Sequence, residues 1–222
     1  MAAFWWIVQK DLVSEFRARR VWPAALLLGS VVALLIRLQI DLPAEYQRQT
    51  AGGLLWLAVL VAAGAVFERA LAAEREDGCW DSLQLLPVSA EAVFLAKLAV
   101  NIVTLTVLEL LLIPLFFALW DLPLLVHAHQ LAWIALLANP ALAAVGTLLG
   151  GLAAGGGKGG SLLVLAVLPL VVPVMLAASE ATRLVLENRL GDTWLQWLQF
   201  LGACGVVFVT AGVLLFGVAI ED

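Results

Sequence analysis

Long apolar runs alternate with short polar breaks along this chain. Six runs, roughly 22–40, 51–72, 93–120, 131–152, 161–179 and 199–219, are nearly free of charge. About 20 apolar residues, rising ~1.5 Å each, are needed for a helix to cross a bilayer core. Each run therefore predicts a membrane span. Ahead of them, Phe4, Val8, Leu12 and Phe16 recur every four residues, with Lys10, Ser14 and Arg17 opposite. That period predicts an amphipathic helix over 1–21 lying in the membrane interface, with Trp5 and Trp6 on its apolar side. Residues 180–198 mix charges with Leu184, Trp194 and Trp197, and predict an interfacial segment. The expected fold class is an all-α polytopic membrane protein, with one permease-like domain over 1–222, six transmembrane helices and an N-terminal interfacial helix.

Prolines and glycines punctuate this pattern. Pro23 opens the first span, Pro114 predicts a kink in the long third, and Pro169 and Pro173 predict bends in the fifth. The run G-G-G-K-G-G at 155–160 predicts a tight turn, making Gly159 and Gly160, with those two prolines, a structural hinge.

Composition agrees. The chain is 64% hydrophobic and 13% charged, where soluble domains are about half apolar and about a quarter charged. One soluble core could not bury so many apolar side chains. The net charge of −5 says little about partners, and no clustered basic face points to nucleic acid. Cys79 and Cys204 cannot form a disulfide framework. Charges mixed into the first twenty positions argue against a cleavable signal peptide. Lys10, Arg17, Arg19, Arg20, Arg75 and Lys158 lie on one side of the predicted topology, whereas only Arg48, Arg183 and Arg189 lie on the other. The positive-inside rule then predicts cytoplasmic termini. Trp22, Trp120, Trp133, Trp194 and Trp197 fall at span ends, as an aromatic belt does.

Candidate chemistry is sparse. The glycine turn fails as a phosphate loop, because Leu152 stands where a glycine is needed and Gly159 where Ser or Thr must follow the lysine. ATP therefore acts through another chain if it acts at all. His127 and His129 lack a third ligand type and read as solvated loop residues. No catalytic constellation is present, and no metal site is expected. Ionisable groups inside spans default to functional hypotheses. Lys97 can snorkel to the cytosolic edge. Arg37 and Glu109 each lie about fifteen residues beyond their span's cytosolic start, which predicts equal depth and a pairing across spans one and three or across a dimer interface. Asn101 and Thr104 extend Lys97 into a polar stripe expected to face protein.

The longest charged interruption is 73–92, containing E-R-E-D-G-C-W-D-S-L-Q-L-L-P-V-S at 74–89. Gly78 permits a turn, Leu83, Leu85 and Leu86 offer apolar contacts, and Pro87 stops a helix. With Lys97 following, the segment resembles the coupling segment of type 2 ABC exporter permeases, except that Cys79 replaces the usual Thr or Ser. A narrower resemblance rests on G-G-L-L-W-L-A at 52–58, F-E-R at 67–69 and G-G-S-L-L-V-L-A-V-L-P-L-V-V-P at 159–173. These runs resemble the haem exporter protein B family of the cytochrome c maturation system, over nearly the whole chain.

The resemblance implies a multi-pass bacterial inner-membrane permease that is not itself an enzyme. It implies a homodimer working with an ABC ATPase subunit that binds ATP. It also implies a haem-handling membrane subunit, a small single-span subunit and a periplasmic haem chaperone. Glu74, Glu76, Asp77, Gly78, Leu83, Leu86 and Pro87 would form the ATPase contact, driving haem export or release of the loaded chaperone. The tryptophan-rich haem motif of the partner is absent here, so haem is handled by the complex and no haem ligand is placed on this chain. The generic coupling motif fits a lipid, drug or polysaccharide exporter equally, and a non-transporting scaffold predicts no ATPase partner.

Overall fold

The computed structural model describes residues 2–18, 21–39, 43–76, 89–154 and 160–221. These form seven helices: α1 (Ala2–Ala18), α2 (Val21–Gln39), α3 (Ala44–Glu76), α4 (Ala90–Leu119), α5 (Leu124–Ala154), α6 (Gly160–Leu186) and α7 (Asp192–Glu221). Helices α3 to α7 are each long and apolar enough to cross a membrane, while the apolar stretch of α2, Pro23–Gln39, is shorter. The chain is an all-α polytopic membrane protein.

The turns are tight. At the end of α4, Leu122 N–H donates to Phe117 O at 2.9 Å while Asp121 takes φ 51°. At the end of α6, Arg189 N–H donates to Leu184 O at 2.8 Å while Asn188 takes φ 56°. Both closures have the Schellman pattern, using the two residue types other than glycine that best tolerate the left-handed region. Residues 180–198, expected as an interfacial segment, are not a separate element: α6 runs to Leu186, the turn spans 187–191, and Trp194 and Trp197 sit in the opening turns of α7. Pro114, Pro140, Pro169 and Pro173 all lie inside continuous helices.

Helix α4 is the hub, packing against α1, α2, α3, α5 and α7, whereas α5 packs against α3, α4, α6 and α7. Small residues bring the backbones close. Ala58, Ala62, Ala138, Ala143, Ala177 and Ala181 are fully buried. In lipid this matters more than apolarity, because association rests on close van der Waals contact rather than escape from water. Three glycines mark the tightest approaches. A Cβ on Gly52 would lie 2.5 Å from Ser179 O, one on Gly146 would meet the Phe67 ring, and one on Gly212 would meet the Phe94 ring.

Apolar side chains also cover the outside, including Leu27, Val31, Leu34 and Leu38 on α2 and Val206, Val207 and Leu214 on α7. A surface of this kind requires a bilayer as solvent. On α1, Ile7 and Val8 are buried while Trp5 and Trp6 are exposed. The helix therefore docks one apolar face on α4 and turns its tryptophans outward.

Candidate functional site

Several of the bundle's polar contacts lie along α4. Ser89 precedes α4 in extended backbone (φ −66°, ψ 142°), and its carbonyl accepts from the N–H groups of Ala92 and Val93. The charged segment thus leads directly into the hub helix. Two turns on, Lys97 Nζ lies 3.9 Å from Asp11 Oδ2, tying α4 to α1. One turn further, Asn101 Nδ2 donates to Thr147 Oγ1 of α5 at 2.8 Å, and that hydroxyl donates to Ala143 O at 2.7 Å. Thr104 is buried and satisfies itself on Val100 O. Deeper along α4, Asn139 Nδ2 donates to Glu109 Oε2 at 2.8 Å and to Thr106 Oγ1 at 3.2 Å. At the far end, Arg37 Nε donates to Leu119 O at 3.3 Å, with its guanidinium 5.8 Å from the Trp120 ring centre. Trp120 in turn stacks on Phe116, 5.3 Å away and nearly parallel.

Two sequence expectations are corrected here. Arg37 and Glu109 are not brought together within the chain. Arg37 reaches the end of α4, ten residues past Glu109, which is about 15 Å along a helix. Equal residue counts from the two span starts did not bring the two side chains together, because such counts do not fix how two helices are offset along each other. His127 is not a solvated loop residue: it sits in the opening turn of α5 with 4% exposure, while His129 is exposed. Residues two apart on a helix point about 200° apart, so the pair cannot grip one ion from the same face. Among the described residues no group of three His, Cys, Asp or Glu side chains could hold a metal.

Of the proposed coupling residues, Glu74 and Glu76 lie in the last turn of α3, while Asp77, Gly78, Leu83, Leu86 and Pro87 fall outside the described residues, as does Gly159. Gly160 opens α6, which carries Pro169 and Pro173 internally.

Sequence reasoning missed Asn139 and Thr147, although a signal was present. Asn101 and Glu109 are eight residues apart, and so are Asn139 and Thr147. Antiparallel helices pair such sets in reverse order, which is the pairing observed. It also missed the clasp between α3 and α6, where Trp56 Nε1 donates to Thr182 Oγ1 at 2.9 Å beside Gly52. Next to it runs a groove of about 610 Å³, lined by Trp56, Leu57, Pro169, Val172, Met175 and Ser179 among others. On the same helix Arg183 bridges Glu180 at 2.7 Å and Glu187 at 3.1 Å. Replacing Thr182 with valine leaves the buried Trp56 N–H without an acceptor. The expected loss is about 1–3 kcal/mol. Thermal unfolding in detergent measures it; an unchanged midpoint would mean the bond is immaterial.

Side-chain contacts thus tie α1, α2 and α5 to α4. The CcmB protein family model matches residues 2–221. The chain belongs to the CcmB family. Heme exporter protein B of Rhodobacter capsulatus is 31% identical over 206 residues, 91% of this chain and 93% of that protein. The protein of the same name from Paracoccus denitrificans is 33% identical over 175 residues, 78% of this chain and 79% of its own. That of Escherichia coli K12 is 31% identical over 178 residues, 80% of each. The CcmB match spans all seven helices and the segment between α3 and α4. With its apolar helices, it makes the chain a multi-pass bacterial membrane protein.

Proposed function

We propose that this chain is the permease subunit of an ABC complex that exports haem for cytochrome c maturation. The observation that carries this reading is the family match over 2–221, joined to relatives named heme exporter protein B that align along 78% to 91% of the chain. ATP is bound by a separate ATPase subunit, which docks on residues 74–87 at the cytoplasmic face of the inner membrane. Both termini lie on that face, and α1 rests in the interface. A second copy of the chain, a haem-handling membrane subunit, a small single-span subunit and a periplasmic haem chaperone complete the assembly.

The hub position of α4 supports a mechanical role. A push on 77–88 reaches Ser89 and then a helix touching five others. Its polar bonds to α1, α2 and α5 resist sliding, so the motion passes on as movement of the set. The output is haem export or release of the haem-loaded chaperone.

Affinity purification of the tagged chain in mild detergent, with mass spectrometry and a haem absorption spectrum, tests the proposal. An ATPase subunit and a haem-handling subunit are expected together. An ATPase alone would point to a lipid, drug or polysaccharide exporter, and recovery of neither would point to a scaffold. Asp77→Lys and Leu83→Asp are each expected to lower ATPase recovery about tenfold, or ~1.4 kcal/mol of contact, with membrane insertion unchanged. Undiminished recovery in both variants would place the contact elsewhere.

A further inference from the structure

The Glu109–Asn139 contact is incomplete as it stands. Glu109 is 2% exposed, in the middle of α4. Its Oε2 accepts from Asn139 Nδ2 at 2.8 Å, and its Oε1 has no donor. Asn139, also 2% exposed, has a buried Oδ1 without a donor. Two groups already in contact thus each hold an acceptor that lacks a hydrogen. A buried acceptor without a partner is unfavourable, and more so when its group is charged.

No cation supplies the missing hydrogen among the described side chains. On α4 itself, Lys97 is twelve residues away and lies against Asp11 of α1, with Lys10 beside that carboxylate. Arg37 of α2 is engaged at Leu119 and Trp120. On α3, Tyr46 and Arg48 lie in the opening turns. On α5, His127 and His129 precede Asn139 by twelve and ten residues, which is about 18 and 15 Å of helix. On α7, Asp192 and Cys204 offer no positive charge.

We infer that Glu109 is held as a carboxylic acid and forms with Asn139 a neutral acid–amide latch between α4 and α5, so that the ligand of this site is one proton. Adding the proton turns one carboxyl acceptor into a donor, and the adjacent amide holds the acceptor it needs. The result does not depend on which way the amide faces. With its oxygen turned to Glu109 Oε2, only a protonated carboxyl could remain at 2.8 Å. Thr106 adds a hydroxyl to the same junction, occupied on Ile102 O as donor and on Asn139 as acceptor. The latch joins the hub helix to the helix that also holds Thr147, so α4 and α5 can separate in lipid only by exposing a carboxyl and an amide together. The inference is independent of any cargo.

Infrared difference spectroscopy on the full chain in lipid nanodiscs at neutral pH tests it. Wild type minus Glu109→Gln is expected to show a protonated-carboxyl C=O stretch that shifts in D2O. A carboxylate band in its place overturns the proposal. In Asn139→Leu the same stretch is expected to persist and move to higher frequency as its hydrogen bond is lost. An unmoved stretch overturns the latch, and this second spectrum decides the matter even if Glu109→Gln does not fold.

Discussion

Gly52→Leu is expected to force α3 from α6 and to remove most folded protein from detergent extracts. A Cβ at this position would lie 2.5 Å from the carbonyl oxygen of Ser179 and 3.1 Å from the backbone nitrogen of Arg183. Both obstacles are backbone, so no side chain can swing aside. Overpacking in protein interiors typically costs about 1–3 kcal/mol, and a backbone clash belongs at or above the top of that range. The Trp56–Thr182 hydrogen bond lies one turn along the same contact and would be lost with it. Gly53→Ala is the control, because its Cβ would meet only the Ser179 hydroxyl, at 3.3 Å, which can rotate away. Fluorescence-detected size exclusion and the thermal midpoint read the difference. A Gly52→Leu protein as stable as Gly53→Ala would mean that the two helices are not in backbone contact.

Gly212→Leu is expected to be nearly as damaging, at the contact between α7 and the hub. Its Cβ would meet the Phe94 ring, which is fully buried and packs on Phe216 with ring centres 5.3 Å apart. The ring is held in the core against Phe216, so a loss of about 1–3 kcal/mol is expected. Here, unlike at Gly52, the obstacle can be removed. Phe94→Ala alone is expected to lose about 3–5 kcal/mol. Combined with Gly212→Leu it should recover part of that loss, with a coupling of about 0.5–3 kcal/mol. Strict additivity of the two losses would show that the side chains do not share one site.

These effects bear on the permease reading because both glycines set how the helices around α4 move as one body. Gly212 fixes α7 to the hub, and Gly52 fixes α3 to α6, which is joined to α4 through α3, α5 and α7. On the proposal that the ATPase docks on 74–87, its push could not travel far through a loose bundle. A packed one has discrete arrangements that small displacements can select between.

Much of this architecture is legible from the residues. Apolar runs near 20 residues dictate helices, since a backbone in lipid must satisfy its own hydrogen bonds. The four-residue period of the first twenty positions dictates an amphipathic helix, and α1 spans Ala2–Ala18. The family resemblance is carried by short runs at 52–58 and 159–173, and the family model extends it over 2–221. Polar residues inside apolar runs identify themselves by type. Their partners do not, because hydropathy along one helix holds no information about its rotation against another.

The sequence by itself therefore determined the class of protein, its apolar helices and some of the residues, Glu109 and Asn101 among them, that a bilayer would not tolerate unpartnered. The tertiary structure alone decided that Glu109 meets Asn139 rather than Arg37, that His127 is buried, and that Gly52 lies on a backbone carbonyl. The reason is physical. Burial and spanning are one-dimensional properties, summed along a helix of known rise. Pairing depends on the relative height and rotation of two helices, which turn closures such as Asp121 and Asn188 and contacts between small residues fix in three dimensions.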